Sequence, residues 1–105
     1  MIEFTHDGQI INCLPNEDIV ASNVPTMRNL LLRELEGEQS WTSMVFNCEK
    51  VETLDSIGIN LIVGLYKKAK ALDLEFKVVG CNESIIKVLS LFRLNEQFSV
   101  EAIKN

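Results

Sequence analysis

The sequence predicts one α/β domain: a mostly parallel mixed sheet that opens with a β-hairpin and alternates with three main helices, in the order ββαβαβαβ. Three observations carry this. Short β-prone runs alternate with segments whose apolar residues recur every three or four positions, the pattern of helices that cross between parallel strands. An Asp7-Gly8 turn signal between two apolar runs calls for a hairpin at the start, and hence one antiparallel edge. The chain has 105 residues, 47% hydrophobic and 24% charged, which is one domain's worth of globular sequence. No linker, repeat or low-complexity stretch divides it, so the expected domain is residues 1–105.

Taken in order, Ile2 to Phe4 and Ile10 to Leu14 form the hairpin, and Pro15-Asn16-Glu17-Asp18 ends its second strand with turn chemistry. A helix is predicted from Val24 to Leu35. Ser22 or Asn23 supplies its cap, Pro25 is tolerated in the first turn, and Val24, Met27, Leu30, Leu31 and Leu35 make one apolar stripe. Gly37 stands where a C-terminal cap belongs. Ser43 to Cys48, an apolar run without clean alternation, suits a central strand covered on at least one face. A second helix runs from Ile57 to Leu72, with Leu61, Ile62, Leu65, Tyr66, Ala69 and Leu72 inward and Lys67, Lys68 and Lys70 outward near its C-terminal dipole. Glu75 to Gly80 is the next strand. Asn82-Glu83-Ser84 caps a third helix from Ser84 to Phe92, with Ile85, Val88, Leu89 and Phe92 on one side, and Phe98 to Ile103 is the last strand. Right-handed crossovers between these strands give the parallel part of the sheet.

Charge and residue inventory exclude several functions. The net charge is −5, and the ten Lys and Arg show no dense cluster beyond Lys67-Lys68-Ala69-Lys70, which disfavours sequence-independent nucleic-acid binding. Cys13, Cys48 and Cys81 lie too far apart for a zinc knuckle or a redox CxxC and are odd in number, so they read as small buried apolar residues in a reducing compartment. The start lacks the basic and apolar regions of a signal peptide, and no apolar run of about 18 residues offers a membrane span. A cytoplasmic location is expected. His6 is the one candidate base. Ser56 lacks the glycine two residues earlier that a nucleophile elbow uses, Gly58 and Gly64 are not followed by the Lys-Ser/Thr of a P-loop, and the acidic pairs Glu49/Glu52 and Glu17/Asp18 read as solvated loop charges. No catalytic residue, metal or cofactor is expected.

The segment Leu54-Asp55-Ser56-Ile57-Gly58-Ile59 stands apart. It joins a strand to a strongly amphipathic helix and places Ser56 within or just before the first helical turn. Asp and Ser there are ordinary caps. Gly58 is a costly choice so early in a helix, about 1 kcal/mol relative to Ala, and its missing side chain admits a close approach by another group. A phosphate on Ser56 would add about −1.5 to −2 charges at pH 7 beside Asp55, and helix-terminal amides could accommodate it without refolding. A partner burying this helix end against an apolar or acidic patch would then be repelled.

The hexapeptide resembles the Asp-Ser-Ser/Thr-Gly-Leu/Ile signature of STAS domains of the anti-sigma factor antagonist type. The following Asn60 to Leu72 helix, Phe76-Lys77-Val78-Val79-Gly80, Ile85-Ile86-Lys87-Val88-Leu89 and Leu91-Phe92-Arg93-Leu94 resemble the family's next elements. Glu17-Asp18-Ile19-Val20-Ala21-Ser22-Asn23-Val24 resembles its acidic segment before helix one. The resemblance implies that Ser56 is the position phosphorylated by an ATP-dependent serine kinase of the histidine-kinase-like ATPase type that doubles as the anti-sigma factor. It implies that the unphosphorylated form binds that kinase, and that a PP2C-type phosphatase resets the switch. ATP would belong to the kinase, so no cofactor falls to this chain. Asp18, Asp55, Ser56, Ile57 and Gly58 are the implied docking residues; Ile57 stands where many members carry a second Ser or Thr. Family members also act on non-sigma targets such as biofilm control. The alternative reading is a nucleotide- or small-ligand-sensing STAS domain, or a structural subunit of a signalling or transporter complex.

Overall fold

A computed structural model describes residues 1–36 and 40–104. Strands β1 (Ile2–Asp7) and β2 (Ile10–Pro15) form the opening hairpin, followed by helix α1 (Val24–Glu34), β3 (Ser43–Asn47), α2 (Ser56–Ala71), β4 (Glu75–Cys81), α3 (Glu83–Leu91), a 3-10 turn (Leu94–Glu96) and β5 (Ser99–Ala102). This is the predicted order. Asp7 belongs to the first strand, paired with Ile10, so the turn residues are Gly8 and Gln9. Gly8 supplies the positive φ of 62° that a two-residue hairpin loop requires. Gly37, the expected cap of α1, lies outside the described residues.

The strands lie side by side in chain order, β1-β2-β3-β4-β5, with the first pair antiparallel and the others parallel. When each crossover is right-handed and steps to the next neighbour in the same direction, every helix falls on the same face of the sheet. Burial records that asymmetry. Ile11, Cys13, Met44, Phe46, Phe76 and Val78 join Met27, Leu31, Ile62, Leu65, Ile85 and Leu89 in one core. The alternate residues Asn12, Asn47, Lys77 and Val79 face the other way and stay half-buried or exposed. Val45 is buried on that second face, in register between Asn12 and Lys77, whose side chains flank it. Tyr66, Phe76 and Phe98 close one end of the core as an aromatic cluster, with ring centroids 5.0 to 6.2 Å apart.

Three inward residues of the sequence reading lie outside this core: Leu30 of the α1 stripe is only half-buried, and two others are well exposed. Leu72 caps the C-terminus of α2 and is 42% exposed; the chain turns there, and Leu74 enters the core instead. Phe92 caps α3 and is 55% exposed, because the helix ends at Leu91 and Arg93 adopts a left-handed conformation. Leu94 takes the buried place beyond that turn.

Candidate functional site

The C-terminal ends of β2, β3 and β4 deliver three loops to one edge of the domain, and the sequence-predicted residues meet there. Asp55 is the N-cap of α2. Its Oδ1 accepts the Gly58 amide at 2.9 Å and its Oδ2 accepts the Ala21 amide at 2.9 Å. One carboxylate thus closes the helix and ties it to the segment before α1. These bonds, the one from Gly58 first and that from Ala21 next, hold the Asp55 carboxyl below its ordinary range, since each favours the charged form.

Asp18 does the reciprocal work from the other side. Its Oδ1 accepts the amides of Glu52 (3.0 Å) and Thr53 (3.3 Å), and the Thr53 hydroxyl lies 3.3 Å from Oδ2. The sequence reading of Asp18 as a solvated loop charge is therefore corrected: backbone and hydroxyl donors engage it. Between the two carboxylates, Ile19 forms a parallel bridge with Leu54. The Ile19 amide donates to the Thr53 carbonyl (3.2 Å), and the Asp55 amide donates to the Ile19 carbonyl (3.3 Å). Asn82 fastens the same loop from β4, its Nδ2 donating to the Glu52 carbonyl at 3.0 Å while its Oδ1 caps α3 at the Ile85 amide.

Gly58 explains why these pieces fit. A Cβ on that residue would overlap the Ile19 carbonyl oxygen. The close approach anticipated at Gly58 is thus made by the chain's own backbone, inside the frame. Asn23, expected as a cap of α1, makes no side-chain cap bond; its Nδ2 donates to the Asp18 carbonyl at 2.8 Å. Ile19 and Thr53 were not singled out by sequence reasoning, and Asn82 was read only as a cap of α3, the role its Oδ1 fills. The one signal that pointed toward Ile19 was the expensive glycine in the first turn of α2.

Ser56 is the first residue of α2 and is exposed, and Ile57 beside it is 40% exposed. The helix start, whose cap is already supplied by Asp55, therefore shows a hydroxyl and an aliphatic side chain beside the exposed Glu17, Ala21, Ser22, Glu52 and Thr53 of the flanking loops. His6, the one histidine, sits apart from it, with Nε2 3.2 Å from Glu34 Oε2 and its ring 4.9 Å from that of Trp41. Cys48 and Cys81, remote in sequence, share a hydrogen bond in the core; with burial it pushes the Cys48 thiol well above its ordinary range, while burial pushes Cys13 up to about 12. Among the described residues no group of three or more His, Cys, Asp or Glu side chains is placed to hold a metal, and no helix is long and apolar enough to cross a membrane.

A mixed sheet with its helices on one face, and a capped helix start beside the segment before α1, define a small α/β module. The family model described as "STAS domain" matches residues 2–104, so the chain belongs to the STAS family. No curated protein sequence matches it significantly. Among solved structures, a protein assigned as an anti-sigma factor antagonist from Thermotoga maritima is 20% identical, with a TM-score of 0.86 over 95% of this chain and 85% of that one. An anti-sigma factor antagonist (STAS) domain protein from Planctomyces limnophilus is 20% identical, with a TM-score of 0.82 over 98% of this chain and 91% of that one. The murine anion transporter Slc26a9 is 10% identical, with a TM-score of 0.80 over 95% of this chain and 17% of that one. At these identities the likeness is one of fold.

Proposed function

We propose that this STAS domain is a phosphorylation-controlled binding module of the anti-sigma factor antagonist kind. In its unphosphorylated form it docks through Ser56 and Ile57 on a serine kinase of the histidine-kinase-like ATPase type. A phosphate on Ser56 blocks that docking, and a PP2C-type phosphatase restores it. The output is a sigma factor or another regulatory target. The chain itself catalyses nothing and needs no cofactor. Its buried, reduced cysteines fit a cytoplasmic setting.

The observation that carries this reading is the division of labour between two adjacent residues. Asp55 caps α2 and braces the preceding segment, whereas Ser56 is exposed on the first turn. A dianion can be placed on the Ser56 hydroxyl without removing any bond of the frame. The positive end of the α2 dipole offsets part of its repulsion from Asp55. On this reading Asp18, Asp55 and Gly58 act by shaping the surface, and Ser56 and Ile57 act by touching the partner.

The test is partner binding by the full chain measured by calorimetry with the cognate serine kinase. Ser56→Ala stays folded and binds irrespective of ATP; Ser56→Glu stays folded and binds at least about tenfold more weakly, the effect of roughly 1.4 kcal/mol. Equal binding by both variants and the wild type would overturn the switch. So would the absence of any phosphate on Ser56 after incubation with kinase and ATP.

A further inference from the structure

Charge is not spread evenly over this acidic protein. Of its ten Lys and Arg, five (Arg28, Arg33, Lys67, Lys68 and Lys70) lie on α1 and α2, and those two helices carry a single acid, Glu34, against fifteen Asp and Glu in the chain. Two of these cations, Arg28 and Lys68, border an apolar notch. Between the two helices runs a groove with a cavity of about 140 Å³, lined by Arg28, Leu32, Asn60, Leu61, Gly64 and Lys68 among others. Leu32 is 42% exposed there. Nothing lies within 4 Å of the position a Cβ on Gly64 would occupy, so the groove floor is open to the close approach of another backbone. Among the described residues neither Arg28 nor Lys68 forms an ion pair.

We propose that the groove between α1 and α2 receives an acidic amphipathic helix of the partner protein, its apolar side on Leu32, Leu61 and Gly64 and its carboxylates toward Arg28 and Lys68. A helix laid on two others buries an apolar face of this kind, and its specificity comes from flanking charge. A second copy of this chain is a poor occupant, because the same cationic layer would face itself. The inference rests on the partner-switch reading and deepens it. Ser56, Asn60, Gly64 and Lys68 are spaced by four residues and share one side of α2, so the groove leads to the phosphorylation site. At about 1.5 Å per residue, Gly64 lies roughly 12 Å along the helix from Ser56. A bound helix of three turns therefore brings its acidic end within about a Debye length, some 8–10 Å, of a phosphate on Ser56. The phosphate then repels the occupant without touching the groove.

Two designed helical peptides of the same apolar face test this on the full chain by NMR titration, one with glutamates and one with lysines on the polar face. The acidic peptide is expected to shift the amides of Leu32, Asn60, Leu61 and Gly64 and to bind more weakly as salt rises; the lysine peptide is expected not to bind. The double variant Arg28→Glu, Lys68→Glu should keep its fold and lose affinity for the acidic peptide by about tenfold or more. Gly64→Leu should block the groove by volume alone. Equal binding of the two peptides, shifts that avoid the groove, or sedimentation showing self-association through these same amides overturns the proposal. The two readings fail separately. If the charge-reversed variant still binds the kinase as the wild type does while Ser56→Glu does not, the groove is wrong and the switch stands. If charge reversal weakens kinase binding while Ser56 variants do not, the groove stands and the switch is wrong.

Discussion

The carbonyl oxygen of Ile19 sits where Gly58 would carry its Cβ. This contact couples the segment before α1 to the first turn of α2, and it makes Gly58 and Gly64 opposite cases on one helix. Alanine is intrinsically better than glycine within a helix by about 0.5–1 kcal/mol. At Gly64 the space is open, so Gly64→Ala should raise the unfolding free energy by about that amount. At Gly58 the added methyl strikes backbone, which has little room to yield. Gly58→Ala should lower stability by about 1–3 kcal/mol despite the helix preference. Urea denaturation of the two variants checks this, and a Gly58→Ala chain as stable as the wild type would remove the contact from the account.

Asp18 and Asp55 brace the same frame and are distinguishable by experiment. Asp18→Ala removes the acceptor of the Glu52 and Thr53 amides. Those two amide resonances should move most, and stability should fall by about 1.5–3 kcal/mol, the range for hydrogen bonds to a charged group. Asp55 has a pH signature. Its folded carboxyl titrates below its ordinary value because the Gly58 and Ala21 amides donate to it. Its contribution is therefore complete above the unfolded value, near pH 4, and is lost as pH falls through the lower folded value. The stability gap between wild type and Asp55→Asn should be constant above about pH 5 and close below it. Thermal melts from neutral pH downward measure that gap; a gap unchanged at low pH contradicts the bonding described.

The three thiols should be chemically quiet. Cys13, Cys48 and Cys81 are at most 1% exposed, and reaction needs both access and the thiolate. Burial raises Cys13 to about 12, and Cys48 is held up by its bond to Cys81 together with burial; that same bond lowers Cys81, whose quiet therefore rests on its lack of exposure. At pH 8 an aromatic disulfide reagent should label none of them in the folded chain within minutes and all three in urea. A single fast-reacting thiol in the folded protein would show that the core around β3 and β4 opens.

The order of elements was legible because each has its own signal: a turn between two β-prone runs in the opening hairpin, alternation at the start of β4 and in β5, three- and four-residue spacing in α1 and α2, an Asx cap before α3. The place of the candidate site was legible for the same reason, since Asp55, Ser56 and Gly58 mark a helix start. The frame around it was not. Asp18 meets Glu52 and Thr53 across more than thirty residues, and no local pattern encodes that pairing. Nor did sequence distinguish Asn23 as a cap from Asn23 as a donor to the Asp18 carbonyl, because both roles suit a polar residue before a helix. The cysteine pair shows the same limit: thirty-three positions separate Cys48 from Cys81, and only the neighbouring of β3 and β4 brings them together.

The end of α3 shows how far apolar spacing alone carries. Leu89 and Phe92 are three residues apart, which on a continuing helix would put both on the core side. The helix stops at Leu91, the chain reverses through Arg93 in the left-handed region, and Phe92 leaves the phase that would have buried it. Leu89 is fully buried, so Leu89→Ala should cost about 2–5 kcal/mol through lost burial and the cavity left behind. Phe92→Ala removes a larger side chain yet should change stability by no more than about 0.5 kcal/mol, as for a surface site. Chemical denaturation of both variants decides it: the smaller truncation must be the damaging one. If Phe92→Ala proves as costly as Leu89→Ala, the helix continues past Leu91 and the sequence spacing was right about Phe92.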